Sequence, residues 1–263
     1  MPVSKFQMSP VLEARELSKR YSAVTAVRGV TFGISPGQVL GVLGPNGAGK
    51  STIVKMITGL LPPSRGAVLF RGDRIDQQAA VYKRAFGYVP EQPELYGFLS
   101  GWEYLDLVAT LRGLDERESH EKACALLEGF TLYGSRDLPI GSYSKGMRQR
   151  IVLIAALLHD PEVLVLDEPF SGLDVISALV LRRMIQLLAD RGKAVFFSSP
   201  VLEQVDKVCS HLLVLKAGGV VASGPIGEIH EEFAGLETGF MHLTEQLDVD
   251  RVAENIVTAV CQK

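Results

Sequence analysis

The stretch GPNGAGKST, residues 44–52, constrains the fold more than any other part of this sequence. It follows the short apolar run QVLGVL, which is typical of a buried parallel strand, and a helical pattern begins at Lys50. The stretch fits G-x-x-x-x-G-K-[ST] in the strand–turn–helix context that this pattern requires. The sequence therefore predicts a glycine-rich loop that cradles phosphate groups between a strand and a helix.

Each residue type in this loop suits the binding of phosphate. Gly44, Gly47 and Gly49 let the backbone curl so that its N–H groups point inward, with no Cβ atoms in the way. The positive end of the following helix adds to the attraction. Lys50 is predicted to reach the β- and γ-phosphates, and the Ser51 hydroxyl is predicted to ligate Mg²⁺. The other predicted nucleotide-binding residues of the loop are Pro45, Asn46, Ala48 and Thr52. The alternative is an incidental glycine-rich turn.

An acidic pair follows a second apolar run, in EVLVLDEP at residues 162–169. Asp167 stands at the carboxyl end of the predicted strand, where it would hold Mg²⁺ through water. Glu168 is placed to polarise the attacking water as a general base. An Asp-Glu pair after a strand is by itself more often a surface turn, but the phosphate loop upstream favours the functional interpretation.

The order of patterns along the chain predicts an α/β fold. Residues 11–34 alternate apolar and polar side chains, as half-exposed antiparallel strands do. Short strands and helices then alternate, which predicts a sheet with helices packed on it, interrupted by a helical insertion at about 93–160. We expect one domain over residues 1–240, with an N-terminal antiparallel β subdomain, and a helical tail at 241–263.

Composition and charge narrow the class of protein. The net charge of −3 argues against a chain that grips nucleic acid. Cys124, Cys209 and Cys261 are few and widely spaced, as expected of reduced thiols in the cytosol. The longest apolar run, Ile151 to Leu158, is far short of the ~18–20 residues that a membrane span needs. The N-terminal residues contain no apolar stretch of signal-peptide length. We therefore expect a soluble, cytoplasmic chain.

The motifs together resemble those of the ATP-binding-cassette (ABC) family, over roughly residues 11–240. The resemblance rests on GPNGAGKST, on VLVLDEP and on the SGLD that follows at residues 171–174. It implies a P-loop NTPase core of the RecA-like type, ATP and Mg²⁺ as ligands, and ATP hydrolysis with Lys50 and Glu168 as catalytic residues. It also implies that Tyr21 stacks on adenine, although a strand-edge tyrosine is the plainer alternative. Gln92, in YVPEQPELY, matches the glutamine that senses Mg²⁺ and the attacking water.

The family's signature sequence, usually written LSGGQ, has a variant form here. The matching stretch is YSKGMRQR, residues 143–150, in which Lys145 and Met147 replace the usual glycine and glutamine. Ser144 and Gly146 match the residues that contact the γ-phosphate bound to the opposite subunit. This YSKGM variant, and the stretch GLETGFMHLTEQ in the tail, resemble cassettes that work with exporter-type permeases.

The resemblance also implies partners. Each nucleotide would lie between two cassettes, so a homo- or heterodimer with a second ABC ATPase subunit is expected, with Asp174 crossing its interface. An integral membrane permease would receive the motion, which would place the chain on the cytoplasmic face of a membrane. The aromatic residues Tyr96, Phe98 and Trp102 suit docking of that permease, and packing between the two lobes is the alternative.

Pro200 departs from the family pattern. There the serine pair, here Ser198 and Ser199, precedes a histidine that touches the γ-phosphate, and proline has neither a side-chain donor nor an N–H group. The five histidines are His120, His159, His211, His230 and His242. His211 is the nearest, but it lies beyond an intervening helix and is not expected to substitute. We expect hydrolysis to be slowed by about 10²–10³, the common cost of one lost charge-stabilising contact. The alternative is that Pro200 fixes the first helical position while Ser199 or water fills the role.

Two functions from different classes follow from these motifs. The first is the energy-coupling subunit of a membrane transporter. The second is a soluble, non-transport or regulatory ABC protein that acts as a nucleotide-gated clamp. Relatives of the second kind typically carry two cassettes or long coiled-coil insertions, and this sequence has neither.

Overall fold

The computed structural model describes residues 9–233 and 257–259. The β-strands are β1 (Leu12–Tyr21), β2 (Val24–Ile34), β3 (Val39–Leu43), β4 (Arg65–Phe70), β5 (Asp73–Arg74), β6 (Phe86–Val89), β7 (Val163–Asp167), β8 (Ala194–Ser198), β9 (His211–Lys216) and β10 (Gly219–Pro225). The α-helices are α1 (Lys50–Ile57), α2 (Ala79–Ala85), α3 (Gly101–Arg112), α4 (Glu116–Gly129), α5 (Lys145–Leu157), α6 (Val175–Asp190), α7 (Leu202–Val208) and α8 (Ile226–Phe233).

Two sheets form the framework. The larger has the order β10-β9-β3-β8-β7-β6, with β10 antiparallel to β9 and the other neighbours parallel. The smaller is antiparallel, in the order β2-β1-β4-β5. The predicted α/β class with an antiparallel β subdomain is therefore confirmed.

The larger sheet is buried on both faces, which explains why its strands are apolar without alternation. Successive residues of β8 point to opposite sides. Phe196 belongs to the apolar core that contains α1 and the antiparallel sheet, whereas Phe197 belongs to the core that contains the helices α3 to α6. A layer of helices and a small sheet thus cover opposite faces of the same strands.

The predicted helical insertion is formed by α3, α4 and α5, which lie between β6 and β7 in the chain. Two side chains attach it to main-chain carbonyls at and just before the start of β6. Arg112, at the end of α3, donates to the carbonyls of Lys83 and Phe86. His159, which follows α5, contacts the same Phe86 carbonyl through Nε2 at 3.0 Å. The domain boundaries at 1–240 and 93–160 stay predictions.

Some features were not predicted, and others lie outside the described residues. The elements α2, β5 and β10 were not predicted, since they are short and their sequences show no clear hydrophobic period. Of the tail at 241–263, only residues 257–259 are described, and they are helical. The stretch GLETGFMHLTEQ, His242 and Cys261 are not among the described residues. Within the part of the chain that is described, no helix has both the length and the apolar character that crossing a bilayer requires.

Candidate functional site

The predicted site residues gather at the carboxyl ends of three adjacent strands. In the register of the sheet, Ser198 at the end of β8 lies beside Val42 of β3 on one side and Asp167 of β7 on the other. The glycine-rich loop begins directly after β3, and Glu168 follows β7. The carboxyl edge of a parallel sheet is where α/β proteins place their ligands.

The glycines of the loop are required by its backbone. Gly47 and Gly49 have φ angles of 80° and 103°, in the left-handed region, and Gly49 is the N-cap of α1. A Cβ atom at Gly49 would lie 2.7 Å from the carbonyl oxygen of Ala26, and one at Gly44 would lie 2.6 Å from that of Leu215. The same Ala26 oxygen would lie 2.7 Å from a Cβ at Gly218, in the turn between β9 and β10. The loop therefore fits closely between neighbouring backbones.

Lys50 lies inside this loop. Its side chain is buried, and its ammonium donates to the carbonyl oxygens of Gly44 at 2.6 Å and Pro45 at 3.2 Å. Burial lowers the pKa of Lys50, and the nearby charges of Glu168 and Asp167 oppose that shift. The first turn of α1 carries no acidic residue, and Ser51 is exposed at its second position. A buried ammonium beside a helix N-terminus and curled main-chain N–H groups fits a triphosphate.

Asp167 is buried and receives a hydrogen bond from the Ser198 hydroxyl. Burial raises the pKa of Asp167, and the Ser198 hydrogen bond works against that rise. No group of three or more His, Cys, Asp or Glu side chains suited to hold a metal occurs in the described part of the chain. A Mg²⁺ ion at Asp167 and Ser51 would therefore need phosphate oxygens and water among its ligands, which is the coordination that Mg²⁺ favours.

Glu168 has an unusual backbone. Its φ of 48° is in the left-handed region, which is uncommon outside glycine, and its N–H donates to the Ser198 carbonyl at 3.0 Å. Residues held in this conformation cluster at functional sites. Burial raises the pKa of Glu168, and the charges of Glu91 and Asp167 raise it further. A carboxylate with a raised pKa is a stronger proton acceptor, as a general base needs to be.

Glu91 was missed by the sequence analysis. Gln92 is exposed, whereas Glu91 is half-buried. Glu91 lies two residues after Val89, where the pairing of β6 with β7 ends opposite Leu166, and Glu168 likewise lies two residues after Leu166. The Glu91 charge also raises the pKa of Asp167 and opposes the lowering of the Lys50 pKa. The charge of Glu91 therefore acts on the site from this loop. The role of its neighbour Gln92 stays a prediction.

Pro200 is exposed, and α7 begins two residues later at Leu202. The alternative that Pro200 fixes the first helical position is therefore wrong. Ser199 is buried, and its hydroxyl is used by the turn itself. It donates to Gln204 Oε1 at 2.7 Å and accepts from the Val201 N–H at 3.0 Å.

The described histidines lie away from this edge. His211 is the first residue of β9, opposite Leu40, and therefore stands at the amino end of the sheet, as we expected. His159 contacts the first residue of β6. His120 packs against Trp102, and His230 lies 2.7 Å from Asp206. Of these four, none is placed to replace the missing histidine.

Ser144 and Asp174 each cap a helix within this chain. The Ser144 hydroxyl accepts from the Met147 N–H at 3.2 Å at the start of α5. The Asp174 carboxylate accepts from the N–H and hydroxyl of Ser177, both at 2.8 Å, at the start of α6. Their roles toward a nucleotide, and that of Gly146, stay predictions.

The predicted aromatic contacts divide into two groups. Tyr21 ends β1 with 46% of its surface exposed, and the Lys19 ammonium lies 5.6 Å from its ring centre. Tyr96 and Phe98 are 56% and 79% exposed and lie against each other. Trp102 is half-buried and packs edge-to-face on His120 of α4, within the helical insertion, so packing between the two lobes stays a prediction for these aromatic residues. Stacking of Tyr21 on adenine stays a prediction.

Comparison with known proteins decides the family. The family model described as ABC transporter matches residues 27–171, more than half of the chain. The chain belongs to the ABC transporter family. An ABC transporter ATP-binding protein of Nostoc sp. is 36% identical over 78% of this cassette and 62% of its own length. The ATP-binding protein NatA of Bacillus subtilis is 32% identical over 88% of the cassette and 95% of NatA.

Solved structures agree with this assignment. A structure described as the ATP-binding subunit of an ABC transporter superposes with a TM-score of 0.84 at 33% identity. The match covers 89% of this cassette and 99% of that chain. The P-loop NTPase fold is therefore confirmed. The cassette spans less than two thirds of the length of the Nostoc relative.

Proposed function

We propose that this cassette binds ATP with Mg²⁺ at the carboxyl edge of the sheet and hydrolyses it. The observation that carries the proposal is the buried Lys50 ammonium, enclosed by the glycine loop and coupled by charge to Asp167 and Glu168. Anionic phosphate is the ligand that such an ammonium and a helix N-terminus favour. Mg²⁺, held by Ser51 and Asp167, would neutralise charge on the β- and γ-phosphates.

Each of these residues has a separate role in the proposed reaction. Lys50 and the main-chain N–H groups of residues 44–52 orient the phosphates. Tyr21 stacks on the base. Glu168 takes a proton from the attacking water, and Gln92 helps to orient that water. Because Pro200 offers no donor, hydrolysis is slower than the same site would support with histidine.

Two variants test this function. Lys50→Ala should weaken binding of a fluorescent ATP analogue by at least about tenfold, because it removes the buried cation. Glu168→Gln should bind the analogue at least as tightly as the wild type does, because it removes a negative charge near Lys50, but should lose at least about 10² in hydrolysis. Equal binding by the wild type and Lys50→Ala would contradict the proposal. The matched control is Lys193→Ala, which removes a lysine paired with Asp160 at 2.8 Å, at the opposite edge of the sheet.

We also propose that ATP brings two cassettes together. Ser144, Gly146 and Asp174 would complete a neighbouring subunit's site. Val175 and Ile176, directly after Asp174, are 76% and 69% exposed, and a surface of this kind favours a protein partner. Sedimentation of Glu168→Gln should show a dimer with Mg–ATP and a monomer without it. A monomer under both conditions would contradict a homodimer.

The partner that receives the motion is proposed to be an integral membrane permease, which would hold the cassette on the cytoplasmic face of a membrane. A groove of about 700 Å³ between the sheet and the helical insertion is lined by Leu60, Tyr88, Tyr104 and Leu111. Leu111 is 77% exposed, so Leu111→Glu should abolish co-purification with the permease without unfolding the cassette. Val24→Glu, at a site 67% exposed on the antiparallel sheet, is the control. Export is the proposed direction, on the basis of the YSKGM variant.

A further inference from the structure

Lys145 joins the signature stretch to the loop that follows Glu168. It is the first residue of α5, and its ammonium donates to the Ser171 hydroxyl at 2.8 Å. Its methylene groups lie over Gly172, because a Cβ at Gly172 would be 2.8 Å from Lys145 Cγ and 2.9 Å from Cδ. A glycine at position 145 could make neither contact.

Two more residues of α5 contact the same loop. A Cβ atom at Gly146 would lie 2.7 Å from the carbonyl oxygen of Gly172, so the two backbones are in close contact. Gln149, which is buried, donates from Nε2 to the Pro169 carbonyl at 3.3 Å. The first half of α5 therefore packs along residues 169–172.

Hydrogen bonds connect this loop directly to Glu168. The Ser171 N–H donates to the Glu168 carbonyl at 3.1 Å, and the Glu168 N–H donates to Ser198. Glu168 is thus fixed on one side by the sheet and on the other by Ser171. Its left-handed φ of 48° is a conformation that persists only where surrounding contacts maintain it.

We propose that Lys145 is a positioning residue for Glu168, acting through Ser171. The proposal rests on the proposed function, in which Ser144 and Gly146 contact the nucleotide of a second subunit. The structure then joins two half-sites within one chain. Lys145 connects two parts of this chain. Ser144 and Gly146 would contact the nucleotide of the neighbouring subunit, and the Glu168 carboxylate would act on the chain's own nucleotide.

The test uses the full chain, assembled with its partner subunits, and four variants: Lys145→Met, Ser171→Ala, the double variant and Lys145→Arg. Methionine keeps the unbranched apolar chain over Gly172 but removes the donor. We expect Lys145→Met and Ser171→Ala each to lower kcat by about three- to tenfold with KM for ATP unchanged, because misplacing the base affects only the chemical step. The double variant should equal the single ones, and Lys145→Arg should restore most of kcat.

Hydrogen exchange gives a readout that does not require turnover. Peptides covering residues 168–173 should exchange faster in Lys145→Met and in Ser171→Ala than in the wild type. Lys193→Met, a lysine paired with Asp160 at the other edge of the sheet, should leave both exchange and kcat unchanged.

The outcomes that contradict the positioning role differ from those that contradict the proposed function. A raised KM in Lys145→Met but not in Ser171→Ala would mean that Lys145 contacts nucleotide directly, and would overturn the positioning role. Additive losses in the double variant, or unchanged exchange at residues 168–173, would overturn it as well. If instead neither the wild type nor Lys50→Ala binds ATP while exchange responds as expected, the proposed function fails and the contact stands.

Discussion

The Ser198 hydroxyl donates to the carboxylate of Asp167 across the last pair of residues that β8 and β7 share. Both side chains are buried, so the hydrogen bond has little competition from water. It lowers the pKa of Asp167 against the effect of burial and so favours the ionised form that a metal requires. The neighbouring strand β8 thus stabilises the ionised form of Asp167, which its proposed role as a Mg²⁺ ligand requires.

Removing this hydroxyl should affect both stability and metal binding. Ser198→Ala leaves a buried carboxylate with one acceptor unsatisfied, and we expect the free energy of unfolding to fall by about 2 kcal/mol. The pKa of Asp167 should rise, so half-maximal ATPase activity should require more Mg²⁺. Chemical denaturation and a Mg²⁺ titration measure the two effects. Ser142→Ala, which removes a hydroxyl 2.7 Å from the Pro139 carbonyl on the surface, should change neither.

Replacing the proline should speed hydrolysis. In Pro200→His, an imidazole at the carboxyl edge restores a donor toward the γ-phosphate, and we expect kcat to rise by about 10²–10³. Steady-state ATPase measurements on the assembled complex test this. Pro200→Ala is the control, since it frees the backbone without adding a donor. An unchanged or lower rate in Pro200→His would show that Pro200 is not what limits this site.

Glu168→Gln should separate stability from activity. The pKa of Glu168 is raised above its ordinary value of 4.5, so the folded chain keeps this proton to a higher pH than the unfolded chain does. Folded-state stability from this group is therefore complete below pH 4.5 and decreases as pH rises through the raised pKa. Glutamine removes that decrease, so the variant should be the more stable protein at neutral pH while hydrolysis is lost. Unfolding curves between pH 4 and pH 8 test the sign, and a steeper decrease in the variant would contradict it.

Glu91 and Gln92 should have different effects. Glu91→Gln removes a negative charge that acts on Lys50, Asp167 and Glu168, so ATP without Mg²⁺ should bind roughly threefold more tightly. Gln92→Ala should leave that affinity unchanged and lower kcat instead. Titrations of a fluorescent analogue in EDTA at low ionic strength measure the affinities. If Glu91→Gln binds the Mg²⁺-free nucleotide as the wild type does, the Glu91 charge does not act on the phosphates.

Much of the site could be predicted because each part is local in sequence. The glycine loop before Lys50 and the acidic pair after an apolar run are contiguous patterns whose backbone geometry follows from residue type. The sheet then brings them together at one edge, as parallel strands must. The sequence therefore predicts that Lys50 and Glu168 lie at one edge of the sheet, and the structure places both of them there.

Other features depend on contacts between distant segments, and no local pattern contains them. Gln92 and Glu91 are adjacent in an irregular loop, where no periodicity shows which of the two points inward. The Lys145 contact with Ser171 spans 26 positions and is visible only after α5 has packed on the sheet. The left-handed backbone of Glu168 also comes from this tertiary environment, because glutamate has no intrinsic preference for it.

The Ala26 carbonyl contacts both Gly49 and Gly218, so this part of β2 lies between the nucleotide loop and the β9–β10 turn. This packing limits which segments can be exchanged between related cassettes. A chimera that takes the strands of residues 9–34 from a relative keeps a working loop only if the oxygen at position 26 occupies the same place. The exchangeable unit in this protein is therefore the first hairpin together with both glycines, although more than two hundred residues separate its ends along the chain.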